Sequence, residues 1–209
     1  VAGVVGTDSE AGATEILIVA DGGADASLIA VDLISQAEHD EQASAVLVTW
    51  SEDLAHTVRG EVERRIDATR NGARARTALE GPQSAIVLVD DRAAATAFSN
   101  AYAPEHLELH LDDPRPEDFV NAGAVFVGAF SPVSLGDYLA GSNHVLPTGG
   151  QARYASGLSA STFLRPQQVI SYDRAALDEV VDDIVALADA EALPAHGEAA
   201  TARFAGSEG

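Results

Sequence analysis

Four short apolar runs, EILIVAD (15–21), SAVLVTW (44–50), SAIVLVD (84–90) and AVFVGAF (124–130), most restrict how this chain can fold. They are rich in β-branched residues and lack strict alternation of apolar and polar positions. Strands covered on both faces read this way, because neither face meets water. Amphipathic stretches lie between them. Residues 25–39 repeat Leu28, Val31, Ile34 and Ala37 at helical spacing. Ser51, followed by Glu52 and Asp53, reads as a capped helix start running toward Asp67; Asp91 opens another helix that ends near Pro104. Strand and helix in alternation predict a Rossmann-like, doubly wound α/β layer, with helices on both faces of a mostly parallel sheet.

After SNHVLPTGGQARYASG (142–157) the pattern changes to loop, then to an acidic helix over about 174–190 and a short helix after Pro194. Two or three elements with one apolar stripe cannot close a core of their own. The expected division is therefore 1–158 for the α/β part and 159–209 for a helical extension lying on that layer or on a second subunit.

Charge and composition remove several functions. Twelve basic residues, all Arg, stand against 33 acids, for a formal charge of -21 that repels phosphate backbones, so nucleic acid is not an expected partner. The absence of cysteine excludes disulfides, thiolate metal sites and a Cys nucleophile. No apolar run approaches the roughly 18 residues of a membrane span, and the N-terminus lacks the basic start of a signal peptide. DGGADAS (21–27) follows a strand and precedes a helix, yet it lacks the dinucleotide-loop spacing and reads as an ordinary turn.

Chemistry must then come from histidine, carboxylates and amides. Gln36 and His39 lie three apart near the end of a helix, either as a ligand pair or as a solvated polar face. Glu105 and His106, in YAPEHLEL (102–109), follow a helix-ending proline at the start of an extended segment. There a carboxylate to activate water and an imidazole to move protons can reach one cleft; a surface turn is the alternative. Asp137 reads as a first-turn helix acid complementing the dipole, and His144 as an exposed residue of a Gly/Ser/Asn loop. Glu191 and His196 flank Pro194, at the first turn of the last helix.

Taken in order, SQAEHDE (35–41), YAPEHLEL, GDYLAGSNHVLPT (136–148), ASGLSAS (155–161) and LPAHGEA (193–199) resemble the C-terminal half of the histidinol dehydrogenases, over nearly the whole chain. The resemblance implies a cytoplasmic, NAD-dependent, two-step oxidation of L-histidinol to L-histidine through an aldehyde. It implies zinc held by Gln36, His39, Asp137 and His196, and Glu105 and His106 as the catalytic pair. Substrate contacts fall on Thr14, Gln36, His39, His106, Asp137, His144, Glu191 and His196. Thr14 stands in AGATE (11–15), where the family usually has AGPSE. The tail is implied to cross a homodimer and complete the partner's site, and most of the NAD site to belong to an N-terminal half outside these residues. Two other functions remain open: a zinc- and imidazole-binding module without turnover, and a metallohydrolase using Glu105 as base.

Overall fold

The computed structural model describes Gly6 and residues 10–205; most of the stretch read above for a signal peptide lies outside the described residues. The chain divides into two compact units, Val1–Leu164 and Arg165–Gly209, so the loop after residue 158 stays with the first.

The first unit holds a five-stranded, all-parallel sheet in the order β3-β2-β1-β4-β5. Its strands are β1 (Glu15–Ala20), β2 (Ser44–Thr49), β3 (Ala85–Leu88), β4 (His106–His110) and β5 (Ala124–Val127). Each of the four expected strands is present, one to three residues shorter at its C-terminal end. The segment opening at His106 is β4, beside the central β1. Every residue of β1 is buried, which explains its unbroken apolar reading. Its even residues Ile16 and Ile18 pack with Leu47 and with Ile29 and Leu33 of α1 (Ala26–Ala37). Its odd residues Leu17 and Val19 pack with Leu107, Leu109 and Ala95 of α4 (Arg92–Tyr102) on the other face. Burying each such side chain contributes about 1.5–3 kcal/mol, so β1 carries both layers.

Asp25, Ser51 and Asp91 cap α1, α2 (Glu52–Ile66) and α4, each side chain accepting a first-turn amide. The stripe that α1 buries differs from the sequence reading. Ile29, Ala30, Leu33, Ile34 and Ala37 are buried, whereas Leu28 and Val31 are 37% and 44% exposed. Two overlapping rows share the helical period, and the sheet takes the one with Ile29 and Leu33. Helix α3 (Gly72–Glu80) carries no sequence mark, having Gly at its first position and no side-chain cap. It packs on α1 and α2 through Ala75 and Ala78. A one-and-a-half-turn helix, α5 (Val133–Tyr138), follows β5.

In the second unit the acidic stretch forms two helices, α6 (Arg174–Asp178) and α7 (Val181–Ala190), before α8 (Pro194–Thr201). Gly197 of α8 faces Val185 and Ala188 of α7. Among residues 165–205 only Ala188, Gly197 and Ala200 are buried. No helix among the described residues is long and apolar enough to cross a membrane.

A polar cluster sits on the α1 side of the sheet. Glu108 and His110 of β4 are 1% and 8% exposed, with a Glu108 Oε2–His110 Nε2 separation of 3.2 Å. Together with Asp32 of α1 they place one ligand-type atom each within 4.8 Å of one another. Burial, reinforced by the charge of Glu108 and opposed by His110, pushes the Asp32 carboxyl up to about 7.

Two stability predictions follow from these elements. Ser51→Ala, which removes the acceptor for the Leu54 amide, should cost about 1 kcal/mol in urea unfolding. Between the ordinary Asp value of 3.8 and about 7, folded Asp32 keeps a proton that the unfolded chain has released. Its contribution is therefore complete at the acid end and lost as pH rises through 7. Asp32→Asn should gain stability relative to the parent across that window; parallel pH–stability curves would count against the buried proton.

Candidate active site

The cavity at issue opens at the amino ends of β1 and β4, not at the carboxyl ends where parallel α/β sheets commonly bind ligands. Its volume is about 430 Å³, the size of a small-molecule site. Thr14 reaches it from the residue before β1, and Glu105 and His106 from the entrance of β4. Gln36 comes from the last turn of α1; His39 comes from the turn just beyond Glu38, the helix C-cap, and not from the helix itself. Asp137 comes from α5 and His144 from the loop after it.

One hydroxyl organises much of this wall. Thr14 Oγ1 donates to Glu105 Oε2 at 2.7 Å, since a carboxylate only accepts. Its single proton is thereby used, so at 2.8 Å it must accept from Gln36 Nε2. The Gln36 amide is thus oriented with Oε1 free of hydrogen bonds among the described residues. Glu105 Oε2 also accepts the Glu15 amide at 3.0 Å, which leaves Oε1 for the cavity. Thr14, read as a substrate contact, has its proton committed within the protein.

His106 is fixed as firmly. Its Nδ1 lies 3.0 Å from the Glu15 carbonyl, an acceptor only, so Nδ1 carries the proton and the neutral ring has its lone pair on Nε2. Nε2 is 3.9 Å from Asp137 Oδ1. The ring also lies against Phe126 of β5, 6.1 Å between centroids. Gly136 permits this approach, because a Cβ there would stand 2.7 Å from the Phe126 ring. A side chain at 136 would displace α5, and Asp137 with it. Upstream, Ala103 turns α4 into β4 at φ 57, a left-handed conformation costing roughly 1–2 kcal/mol, directly before Pro104 and Glu105.

Glu15 ties down the loop that follows His144. Its Oε1 accepts the Gly149 amide at 2.6 Å. Burial pushes this carboxyl above its ordinary value, with the Gly149 bond opposing. Thr148 Oγ1 accepts the Gly12 amide at 2.8 Å and closes the adjoining wall.

The electrostatics favour a cation. Glu105 and Asp137 line the cavity, no Arg does among the described residues, and the carbonyl end of α1 adds partial negative charge. Asp137 sits in the last turn of α5, not the first, where its charge opposes the helix dipole and gains from a positive neighbour. Gln36 Oε1, the His39 ring and the Asp137 carboxylate are three donors uncommitted to hydrogen bonds among the described residues. That set fits a borderline divalent ion such as zinc. The Asp32–Glu108–His110 cluster fits less well, since Glu108 already accepts from Val133 and pairs with His110.

Glu191 and His196 stand on the second unit, both exposed: Glu191 closes α7 and His196 lies in the first turn of α8. At the carboxyl ends of β1 and β4, the Asp21 carboxylate accepts the Gly23 and Asp112 amides at 3.0 and 2.7 Å, so 21–27 forms a turn closed by acids. Sequence reasoning missed Glu15, Asp32, Glu108 and Thr148. Glu15 had one usable signal, a carboxylate opening an otherwise apolar run.

The histidinol dehydrogenase family model matches residues 1–204. The histidinol dehydrogenase of Leifsonia xyli subsp. xyli is 61% identical over 206 residues, covering 98% of this chain and 47% of its own length. That of Corynebacterium diphtheriae is 60% identical, covering 98% and 46%. The crystal structure of histidinol dehydrogenase from Elizabethkingia anophelis superposes with a TM-score of 0.86 at 36% identity, over 94% of this chain and 46% of that one. The chain thus spans about half the length of the curated relatives it matches. By the extent of the family match and the identity along it, this chain belongs to the histidinol dehydrogenase family.

Proposed function

We propose that this chain carries the metal-, substrate- and acid–base half of an NAD-dependent enzyme that oxidises L-histidinol to L-histidine through histidinaldehyde. The supporting observation is the convergence of Gln36, His39, Glu105, His106 and Asp137 on one negatively charged cavity. L-Histidinol is a small cationic amino alcohol with an imidazole, matched to that size and sign.

Gln36, His39 and Asp137 are the metal ligands in this reading, joined by His196 from the tail of a second copy in a homodimer. Bound there, zinc would fix the substrate's imidazole and amino nitrogens, and NAD would accept hydride. The acid–base work falls to two groups. His106 takes the alcohol proton on Nε2, the only ring nitrogen with a lone pair toward the cavity. Glu105 takes a proton on Oε1 from the water that adds to the aldehyde, while Thr14 and Glu15 hold its other oxygen still. His106 then takes the hydroxyl proton of the hydrate. Thr14, through its remaining lone pair, His144 and the partner's Glu191 contact the substrate.

The chain's share of its relatives, 47% and 46% of their lengths, favours one second reading. In it the chain by itself binds zinc and an imidazole without turnover.

NADH formation from L-histidinol, followed by absorbance, tests the main reading. The full-length protein carrying this chain should produce it, lose it to a chelator and regain it with zinc. No zinc-dependent NADH from the full-length protein would refute the assignment; zinc and histidinol binding without NADH would leave the binding module. Glu105→Gln should still oxidise histidinol while slowing aldehyde oxidation about 10²–10⁴-fold, whereas His106→Asn should slow both. Single-turnover traces started from the alcohol and from the aldehyde separate the two. Gln36→Ala should raise the zinc Kd by about 10–100-fold or more in calorimetry.

A further inference from the structure

We infer that Glu108, a residue outside the cavity lining, is the positioning residue that locks together the three elements carrying the metal and catalytic groups. The inference rests on the site reading proposed above. Glu108 lies two residues beyond His106 on β4, so both side chains leave the same face of the sheet. Leu107 and Leu109 take the opposite face. At 1% exposure, Glu108 has no solvent with which to satisfy its oxygens, and each contacts a neighbour. Oε1 accepts the amide of Val133, the first residue of α5, at 3.0 Å. That helix has Pro132 at its cap position and no side-chain cap of its own. Glu108 therefore serves as its N-terminal acceptor from a different element, satisfying an amide that the helix leaves open. Oε2 lies 3.2 Å from His110 Nε2 in the same strand. Asp32 completes the cluster from α1, one turn before Gln36.

One carboxylate thus stands among β4 with His106, α5 with Asp137 and α1 with Gln36. Such outer partners commonly govern metal affinity by 10–100-fold through the ligands they orient. An aliphatic side chain at 108 would let α5 drift and move Asp137 relative to His106 and Gln36.

Zinc affinity by calorimetry, with kcat and KM for L-histidinol, decides the matter on the full-length protein carrying this chain. Glu108→Ala should raise the zinc Kd about 10–100-fold while the protein remains folded by circular dichroism. Glu108→Gln keeps the acceptor for Val133 and should stay within about threefold of the parent, by the outer-shell logic of retained geometry. A role in stability alone would lower the melting temperature of Glu108→Ala and leave the zinc Kd and KM where they were; that result overturns the inference. If Glu108→Ala does not fold, Val133→Pro deletes the amide donor at a helix position that accepts proline, with Val133→Ala as the reference for the lost side chain, which lines the cavity. A raised zinc Kd in the proline variant relative to that reference supports the inference, and an unchanged one overturns it. A parent protein that binds no zinc would instead remove the site reading on which the inference stands.

Discussion

The Thr14 hydroxyl has one proton, and much of the site's organisation follows from where it goes. Given to Glu105, it obliges the same oxygen to accept from Gln36. A residue on the loop before β1 thereby fixes a carboxylate at the entrance of β4 and an amide at the end of α1. The chain of bonds has a direction, and that direction leaves Glu105 Oε1 and Gln36 Oε1 as the atoms available to a ligand. Threonine in place of serine keeps this arrangement, because the added methyl removes neither lone pair nor proton.

The location of the cavity follows the same economy of charge. A parallel sheet offers its carboxyl ends to anions through helix N-termini, but here an acidic turn at Asp21 and Asp112 occupies that edge. The opposite edge meets the carbonyl end of α1 and collects Glu105 and Asp137. A cation is the natural complement there, and the whole-chain charge of -21 raises its local concentration.

Much of the fold was legible because β1 and β2 are buried on both faces and so read as continuous apolar runs. β4 was harder to read. In HLELH, Leu107 and Leu109 alternate with His106, Glu108 and His110, which suggests one face in water. Residues of α1 and α5, Asp32 and Val133, lie against that face and help bury a polar cluster there, which the strand's own alternation does not show. Gln36, Glu105 and His106 stood out from composition, spacing and resemblance. Glu15 did not, because its role lies as much in its backbone amide and carbonyl as in its side chain. Asp137 was misplaced within its helix because α5 is too short to show a period.

The bond from His106 Nδ1 to the Glu15 carbonyl makes the ring a base with one door. Behind the ring, among the described residues, a proton taken on Nε2 finds the Glu15 carbonyl already served and Glu105 Oε2 3.6 Å from Nδ1, itself taken up by Thr14 and the Glu15 amide. In the two-step oxidation proposed, the same nitrogen must be unloaded between the alcohol and the hydrate. The discharge has to pass through the chamber the intermediate occupies, so passage of water at its mouth, rather than basicity alone, would pace the interval between the two oxidations.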